Sequence, residues 1–140
     1  MDNDTSMDIN HDLASVRMER AMELIETAKY EFERSDYKSA NNRAFYAMEK
    51  AVKALLALKG ISCKTHSGVL KSFNKEYIFA GEGSFTKDDY KMIQEAETVR
   101  QASDYDDFYI VNKSDCIRQL NNAEYFVNKV NEYLARFLLR

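Results

Sequence analysis

The sequence predicts an all-α protein, an antiparallel up-and-down bundle of about five helices, on three observations. Proline is absent and glycine occurs four times, although strands joined by tight turns rely on both residues. Apolar residues recur at three- and four-residue steps, which places them on one face of a helix. A length of 140 residues with 45% apolar content suits one core. We therefore predict a disordered acidic leader over residues 1–12 and a single helical domain over residues 13–140.

The first two helices are predicted over residues 13–33 and 37–59. Ser35 and Asp36 interrupt the apolar pattern between them, and Gly60 suits the left-handed conformation beyond a helix end. Glu49 and Lys53 have the spacing of a surface ion pair. Alanines in the second helix would allow another helix to approach closely, which makes a homodimer an expectation. The predicted inward residues are Met18, Ala21, Met22, Ile25, Ala28 and Phe32 in the first helix, and Ala40, Ala44, Ala47, Met48, Ala51, Val52, Leu55 and Leu56 in the second.

The third and fourth helices are shorter and begin after threonines. Thr65 is predicted to cap a helix over residues 66–78, and residues 80–84 form the clearest loop. Thr86 followed by Asp89 resembles a capping box with Asp in place of the usual Glu, and it starts a helix that runs to about Ser103. The predicted inward residues are Val69, Leu70 and Phe73 in the third helix, and Tyr90, Ile93, Ala96, Val99 and Arg100 in the fourth.

An acidic and aromatic connector is predicted over residues 104–112, before a fifth helix that begins at Ser114. Residues 108–111 are the one strand candidate, but this segment is short and has no partner of similar character. Irregular chain or a helical turn is therefore the preferred interpretation. The predicted inward stripe of the fifth helix is Ile117, Leu120, Ala123, Val127, Val130, Leu134 and Phe137.

The composition excludes several functional classes. A net charge of −3 and an isoelectric point near 5.5 disfavour general affinity for nucleic acid or anionic membranes, although a local basic patch stays compatible. No apolar run approaches the roughly 20 residues of a membrane span, and the start lacks the parts of a signal peptide. Cys63 and Cys116 are expected to be reduced thiols, and the cytoplasm is the expected location. Two histidines are too few for a histidine metal site, so neither a metal nor a cofactor is predicted.

Two segments carry polar groups beyond what packing requires. Residues 41–48 interleave amides and Arg43 with aromatics, and an arginine can hold a carboxylate or a phosphate through two hydrogen bonds. Residues 63–68 bring Lys64 and His66 to a helix start, whose free amides favour an anion. The alternatives are an Arg43 paired with an acid on a neighbouring helix, and a capped turn in which His66 has a satisfied hydrogen bond. Arg43, Lys64 and His66 are therefore candidates for phosphate binding.

A third segment, residues 100–107, ends the fourth helix. It places Arg100 four residues before Asp104 and five before Tyr105. The structural alternative is a local Arg100–Asp104 ion pair at a helix C-terminus, where a cation is favourable. The aspartates of this segment lack the central glycine and distal glutamate of a calcium loop, which favours a solvated turn.

The order and spacing of these segments over about residues 15–135 resemble the HEPN family, in its short stand-alone branch. The resemblance implies a bundle of about five helices that often dimerises, and a partner that is a minimal nucleotidyltransferase encoded nearby in toxin–antitoxin pairs. Many members are metal-independent ribonucleases, whose motif places an Arg and a His at the dimer cleft. The Arg would act on the phosphate, and the His on the ribose 2′-hydroxyl or the leaving group. The residues that carry the resemblance are 42–48, 51–56, Gly60, 64–69, Arg100 and 104–107.

This sequence departs from the ribonuclease motif at its histidine. Arg100 matches the motif Arg, whereas Asp104 or Tyr105 stands at the His position. A tyrosine, with an ordinary pKa of about 10, is a poor general base near neutral pH, and an aspartate does not readily replace His as an acid. A second departure is Glu49-Lys50, where this branch commonly has an aromatic and a His or Tyr.

The resulting prediction is an HEPN-like module without efficient catalysis. It would bind nucleotide or RNA phosphate through Arg43, Lys64, His66 and Arg100, or bind a nucleotidyltransferase partner. Two alternatives stay open. One is a metal-independent ribonuclease toxin with a rearranged site, whose catalytic candidates are His66, Arg100 and the residues at positions 104 and 105. The other is a structural dimerisation module, in which internal acids satisfy Arg43, His66 and Arg100.

Overall fold

A computed structural model describes the backbone of residues 2–138 and the side chains of residues 7–138. Over residues 2–138 there are five α-helices, and a π-helical turn over Asn74–Phe79 continues the third. Within the described range there is no strand, and the candidate at 108–111 is irregular chain. The predicted all-α bundle is confirmed. The helices are α1 (Asp2–Glu33), α2 (Tyr37–Leu58), α3 (His66–Phe73), α4 (Lys87–Tyr105) and α5 (Lys113–Leu138).

Sequence-neighbouring long helices run antiparallel. Arg17 Nη1 of α1 donates to the carbonyl of Lys53 in α2 at 3.0 Å, while the other ends of the two helices meet at the short turn of residues 34–36. Lys29 of α1 pairs with Glu124 of α5. Because α2 packs against α1, α3, α4 and α5, it is the central helix of the bundle.

Residues 2–12, predicted as part of a disordered leader, form the first turns of α1; residue 1 lies outside the described range. An acidic segment without glycine or proline can begin a helix, because negative charge near a helix N-terminus is favourable. Asn10 also lies against Gly60 at the end of α2, close enough that a Cβ at position 60 would meet its amide nitrogen at 3.3 Å. That contact gives the segment a tertiary neighbour.

The alanines of α2 are used inside the chain. Ala40, Ala44, Ala47, Ala51, Ala54 and Ala57 are all buried, so their small side chains allow the other helices of the same chain to approach closely. These alanines therefore give no support for a homodimer, because helices of the same chain already cover them. The homodimer itself stays a prediction.

The inward faces of α1 and α5 differ from the predicted stripes at a few positions. Met22, Ile117 and Phe137 are each more than two-fifths exposed. In α5 the buried set begins instead at Cys116 and Gln119, because the start of this helix packs against the start of α2, where Cys116 Sγ lies 3.6 Å from the Tyr37 carbonyl. A helix has 3.6 residues per turn, so residues at a fixed spacing shift gradually around its surface, and a predicted apolar stripe leaves the buried face after several turns.

The predicted helix starts are confirmed in their capping geometry. Asp36 accepts a hydrogen bond from the Ser39 amide at 3.1 Å, and Thr65 accepts one from the Gly68 amide at 3.0 Å. Thr86 and Asp89 form the full capping box. Gly60 has a φ of +72°, as its position past α2 requires. None of the described helices combines the length and apolar character that crossing a membrane requires.

Candidate functional site

The buried ring of Phe45 in α2 brings two of the predicted site residues together. The Arg100 guanidinium of α4 lies 5.4 Å from the centre of this ring. The His66 ring, at the start of α3, meets it edge-on at a centroid distance of 5.4 Å. Tyr46, the next residue along α2, lies 6.3 Å from the His66 ring. We refer to Phe45, Glu49, His66, Glu97, Arg100 and Asp104 as the Phe45 cluster.

Arg100 is a buried cation held by two carboxylates. Its side chain is 7% exposed. Nε and Nη2 donate to Glu97 at 2.9 and 3.2 Å, and Nη1 donates to Asp104 at 2.5 Å. The hydrogen bonds from Arg100 to Glu97 raise the pKa of the guanidinium above its ordinary value. The predicted Arg100–Asp104 pair is confirmed, and Glu97 adds a second acid one turn earlier.

His66 is held by Glu49, the acid that helical spacing predicted to pair with Lys53. Its Nδ1 donates to Glu49 in α2, a carboxylate that is 7% exposed. The predicted surface pair between Glu49 and Lys53 is therefore wrong, because Glu49 points towards the start of α3 rather than along its own helix. The His66 side chain keeps 39% of its surface open to solvent, so it is the accessible imidazole of the cluster.

The other predicted phosphate-binding residues lie at the surface. Arg43 is exposed near Asp36, whose pKa is lowered first by its hydrogen bonds with Ser39 and to a smaller extent by charges that include Arg43. Lys64 is exposed ahead of α3. No hydrogen bond or ion pair joins Arg43 or Lys64 to the Phe45 cluster within residues 7–138. The fold thus assembles His66 and Arg100 but not all four candidates.

Tyr105 and the connector that follows it project into solvent. The Tyr105 side chain is 81% exposed, and Phe108 and Ile110 are 91% and 83% exposed. Asp104 faces the cluster, where it also accepts a 3.4 Å hydrogen bond from the Asn42 amide. The two candidates for the missing histidine position therefore point in different directions.

Sequence reasoning missed Glu49 and Glu97 as members of this cluster. A signal for Glu97 was present, because it lies three residues before Arg100 and Asp104 lies four after it, which places both acids on one helix face. No comparable local signal identifies Glu49, since its partner comes from another helix.

The cluster has more acid than base. Three carboxylates, from Glu49, Glu97 and Asp104, surround one guanidinium and one imidazole. A negatively charged surrounding disfavours a phosphate. Among the side chains of residues 7–138, no three His, Cys, Asp or Glu residues come together as a set that could hold a metal ion. The geometry favours a structural ion network with one accessible imidazole at its edge.

Comparison with known proteins gives a consistent family. Residues 14–133 match the sequence profile described as HEPN domain. A Methanocaldococcus jannaschii protein named "Putative toxin MJ0142" is 38% identical over 87% of this chain and 87% of the relative. A second protein of that organism, named "Putative toxin MJ0605", is 31% identical over 94% and 95%. A "UPF0332 protein" of Archaeoglobus fulgidus is 34% identical over 84% and 92%.

Proposed function

The chain belongs to the HEPN domain family, and we propose that it is a binding module of a toxin–antitoxin-like pair, without efficient catalysis of its own. Its ligand is RNA or nucleotide phosphate, and its protein partner is a nucleotidyltransferase. The toxin–antitoxin context is supported by the names of two relatives. The Phe45 cluster supports the absence of efficient catalysis.

The observation that carries this proposal is the state of Arg100. A catalytic arginine stabilises charge that develops on a phosphate, which requires hydrogen-bond donors that are free to reach it. Here three of the five N–H groups, one each on Nε, Nη1 and Nη2, already donate to Glu97 or Asp104, and the side chain is 7% exposed. Asp104 moreover occupies a candidate position for the motif histidine and places a negative charge where a phosphate would approach. Arg100 therefore stabilises the end of α4 rather than a reacting group.

The connector after α4 supports a protein partner. Monomeric proteins rarely leave several large apolar side chains of one segment in solvent, and such segments mark interaction sites. Tyr105, Phe108 and Ile110 are each more than four-fifths exposed, and Asp106 and Asp107 stand between them. We propose that the partner presents an apolar surface with a positively charged rim to this connector.

Isothermal titration calorimetry of the full chain tests the binding proposal. Short single-stranded RNA and nucleotides are titrated first, and then the product of the adjacent nucleotidyltransferase gene. RNA is incubated in parallel with the protein in EDTA. We expect binding without cleavage. No binding to RNA, nucleotides or the partner would contradict the proposal.

The partner surface is tested with Phe108→Ser and Ile110→Ser. Both positions are more than four-fifths exposed, so the fold should be unaffected while partner binding weakens. Phe79→Ser is the matched control, because Phe79 is 89% exposed at the far end of the π-helical turn. Equal binding by the connector variants and the control would remove the connector from the interface.

A ribonuclease with a rearranged site is the second candidate, and one observation favours it. His66 and Arg100 contact the same ring, so the accessible imidazole lies near the motif arginine despite its distance in sequence. This alternative predicts metal-independent RNA cleavage that is lost in His66→Gln and in Arg100→Lys. Absence of cleavage by protein with a native circular dichroism spectrum would exclude it.

A structural dimerisation module is the third candidate. It agrees with the carboxylate partners of His66 and Arg100, which leave both residues satisfied inside the chain. It also predicts a stable homodimer that binds neither RNA nor nucleotides. Light scattering combined with the same titrations separates it from the proposed function.

A further inference from the structure

Between residues 40 and 57, helix α2 leaves one narrow and mostly basic line of side chains open to solvent. From residue 40 to residue 57 every α2 residue is buried except five. Four of the five, at positions 43, 46, 50 and 53, recur at three- and four-residue steps and so share one face. The five are Asn42, Arg43, Tyr46, Lys50 and Lys53.

Helix α1 adds two arginines beside this line. Arg17 is anchored by its 3.0 Å hydrogen bond to the Lys53 carbonyl, which places its charge at the α1–α2 boundary. Arg20 lies one turn further along α1 and makes only an exposed 3.4 Å pair with Glu23. We name the surface formed by Arg17, Arg20, Arg43, Tyr46, Lys50 and Lys53 the α2 basic strip.

Lys50 lies where these charges meet. Its pKa is lowered, first by partial burial and then by the nearby charges of Lys53, Arg17 and Arg20. Glu49, the adjacent acid, is engaged by His66. Among the described side chains, no carboxylate pairs with Lys50 or Lys53. Cations outnumber acids around Lys50, so a bound anion would relieve their mutual repulsion.

We propose that the α2 basic strip binds the phosphate backbone of single-stranded RNA. This inference rests on the proposed function and moves phosphate recognition away from Arg100. From Arg43 to Lys53 the strip extends along ten residues of helix, about 15 Å at the rise of an α-helix. That length suits successive phosphates of an extended strand better than one isolated phosphate. Tyr46 lies among the cations, as aromatic side chains do in surfaces that bind single strands.

The composition of the strip favours a polyanion over a protein partner. Protein interfaces have an apolar centre and are depleted in lysine, whereas the α2 part of the strip exposes two lysines, one arginine and no aliphatic side chain. The chain as a whole has a net charge of −3, so this clustering of cations opposes the average charge of the molecule. The apolar connector after α4 is the better candidate for a protein.

Fluorescence anisotropy with a labelled single-stranded RNA tests the strip. The variant is Lys50→Gln/Lys53→Gln, and the matched control is Lys87→Gln/Lys91→Gln, which removes the same charge from two exposed positions of α4. We expect the strip variant to weaken binding by roughly an order of magnitude at low salt, because it removes two cations that neutralise phosphates. The slope of log K against log salt concentration should also become shallower by about 0.7 for each phosphate that the variant leaves without a cation. The control should match the wild type.

The outcomes separate the two proposals. Wild-type binding that persists unchanged in the strip variant would overturn the strip and leave the proposed function intact. Failure of the wild type to bind RNA would contradict the RNA part of the proposed function and, with it, the strip. Poly-glutamate serves as a competitor. If it displaces RNA at an equal concentration of charges, the strip recognises acidic polymers in general and the assignment to RNA is overturned.

Discussion

The Phe45 cluster and the α2 basic strip both contain cations on or beside α2, yet they are in opposite states. In the cluster, Arg100 is 7% exposed and donates to two carboxylates. In the strip, Lys50 and Lys53 are partly exposed, and no described carboxylate pairs with them. The difference shows that the match of a residue to a sequence motif does not determine whether its charge is available to a ligand. Arg100 is held by Glu97 and Asp104, whereas Lys50 and Lys53 lie outside that ion network.

The two states also have different energetic consequences. A buried ion whose partner is removed leaves an uncompensated charge, which is strongly destabilising. Cations at the surface contribute little to stability because water and salt screen them. We therefore expect substitutions in the cluster to change the free energy of unfolding, and substitutions in the strip to change RNA affinity.

The largest expected effect is on stability. Arg100→Met should lower the free energy of unfolding by about 3 kcal/mol, because it leaves Glu97 and Asp104 without their cation. Lys50→Gln/Lys53→Gln should change it by less than about 0.5 kcal/mol. Urea unfolding followed by circular dichroism measures both variants. A similar loss of stability in the two would mean that the regions do not differ in the way proposed.

The second prediction concerns a variant that makes Arg100 of the cluster more available to a phosphate. Asp104→Asn removes a carboxylate from Arg100 and should raise RNA affinity severalfold. The substitution removes a negative charge that repels the RNA phosphate, and it releases Arg100 Nη1. Asp107→Asn is the matched control, because it makes the same change in charge on the exposed connector.

The comparison of these two variants in the anisotropy assay isolates the release of Arg100. If Asp107→Asn raises affinity as much as Asp104→Asn, then the gain reflects net charge alone and Arg100 stays unavailable. An Asp104→Asn affinity equal to that of the wild type would also count against any phosphate approaching the cluster.

Most of the fold could be predicted from the sequence because its signals are local. The capping box of Thr86 and Asp89 requires only four consecutive residues, and the burial of Arg100 follows from its place on an apolar face. The partner of Glu49 could not be predicted in this way. Its carboxylate had a local alternative at Lys53, and the choice of His66 depends on how α3 is placed against α2.

The strip shows the same limit. Its α2 line of residues 43, 46, 50 and 53 is readable from helical spacing. The contribution of Arg17 and Arg20 depends on the register of α1 against α2, which the 3.0 Å hydrogen bond from Arg17 to Lys53 defines. Periodicity identifies which residues share a helix face, and tertiary packing determines which charges on neighbouring helices meet there.

The smallest predicted effect is a difference in pH dependence between the two regions. The pKa of Lys50 is lowered, first by burial and then by its cationic neighbours. A bound phosphate would favour the charged form, so binding would be accompanied by retention of the Lys50 proton. RNA affinity should therefore fall as pH rises through the lowered pKa of free Lys50, ahead of the value of about 10.4 for an ordinary lysine.

Lys50→Arg should remove most of that fall, because an arginine stays charged over this range. Arg100 makes no such contribution in either protein, since its hydrogen bonds to Glu97 raise its pKa further. Anisotropy titrations at several pH values and constant ionic strength measure the fall, which is small because it comes from one lysine among the six residues of the strip. The same fall in Lys50→Arg as in the wild type would place the titrating group elsewhere and separate Lys50 from the bound phosphate.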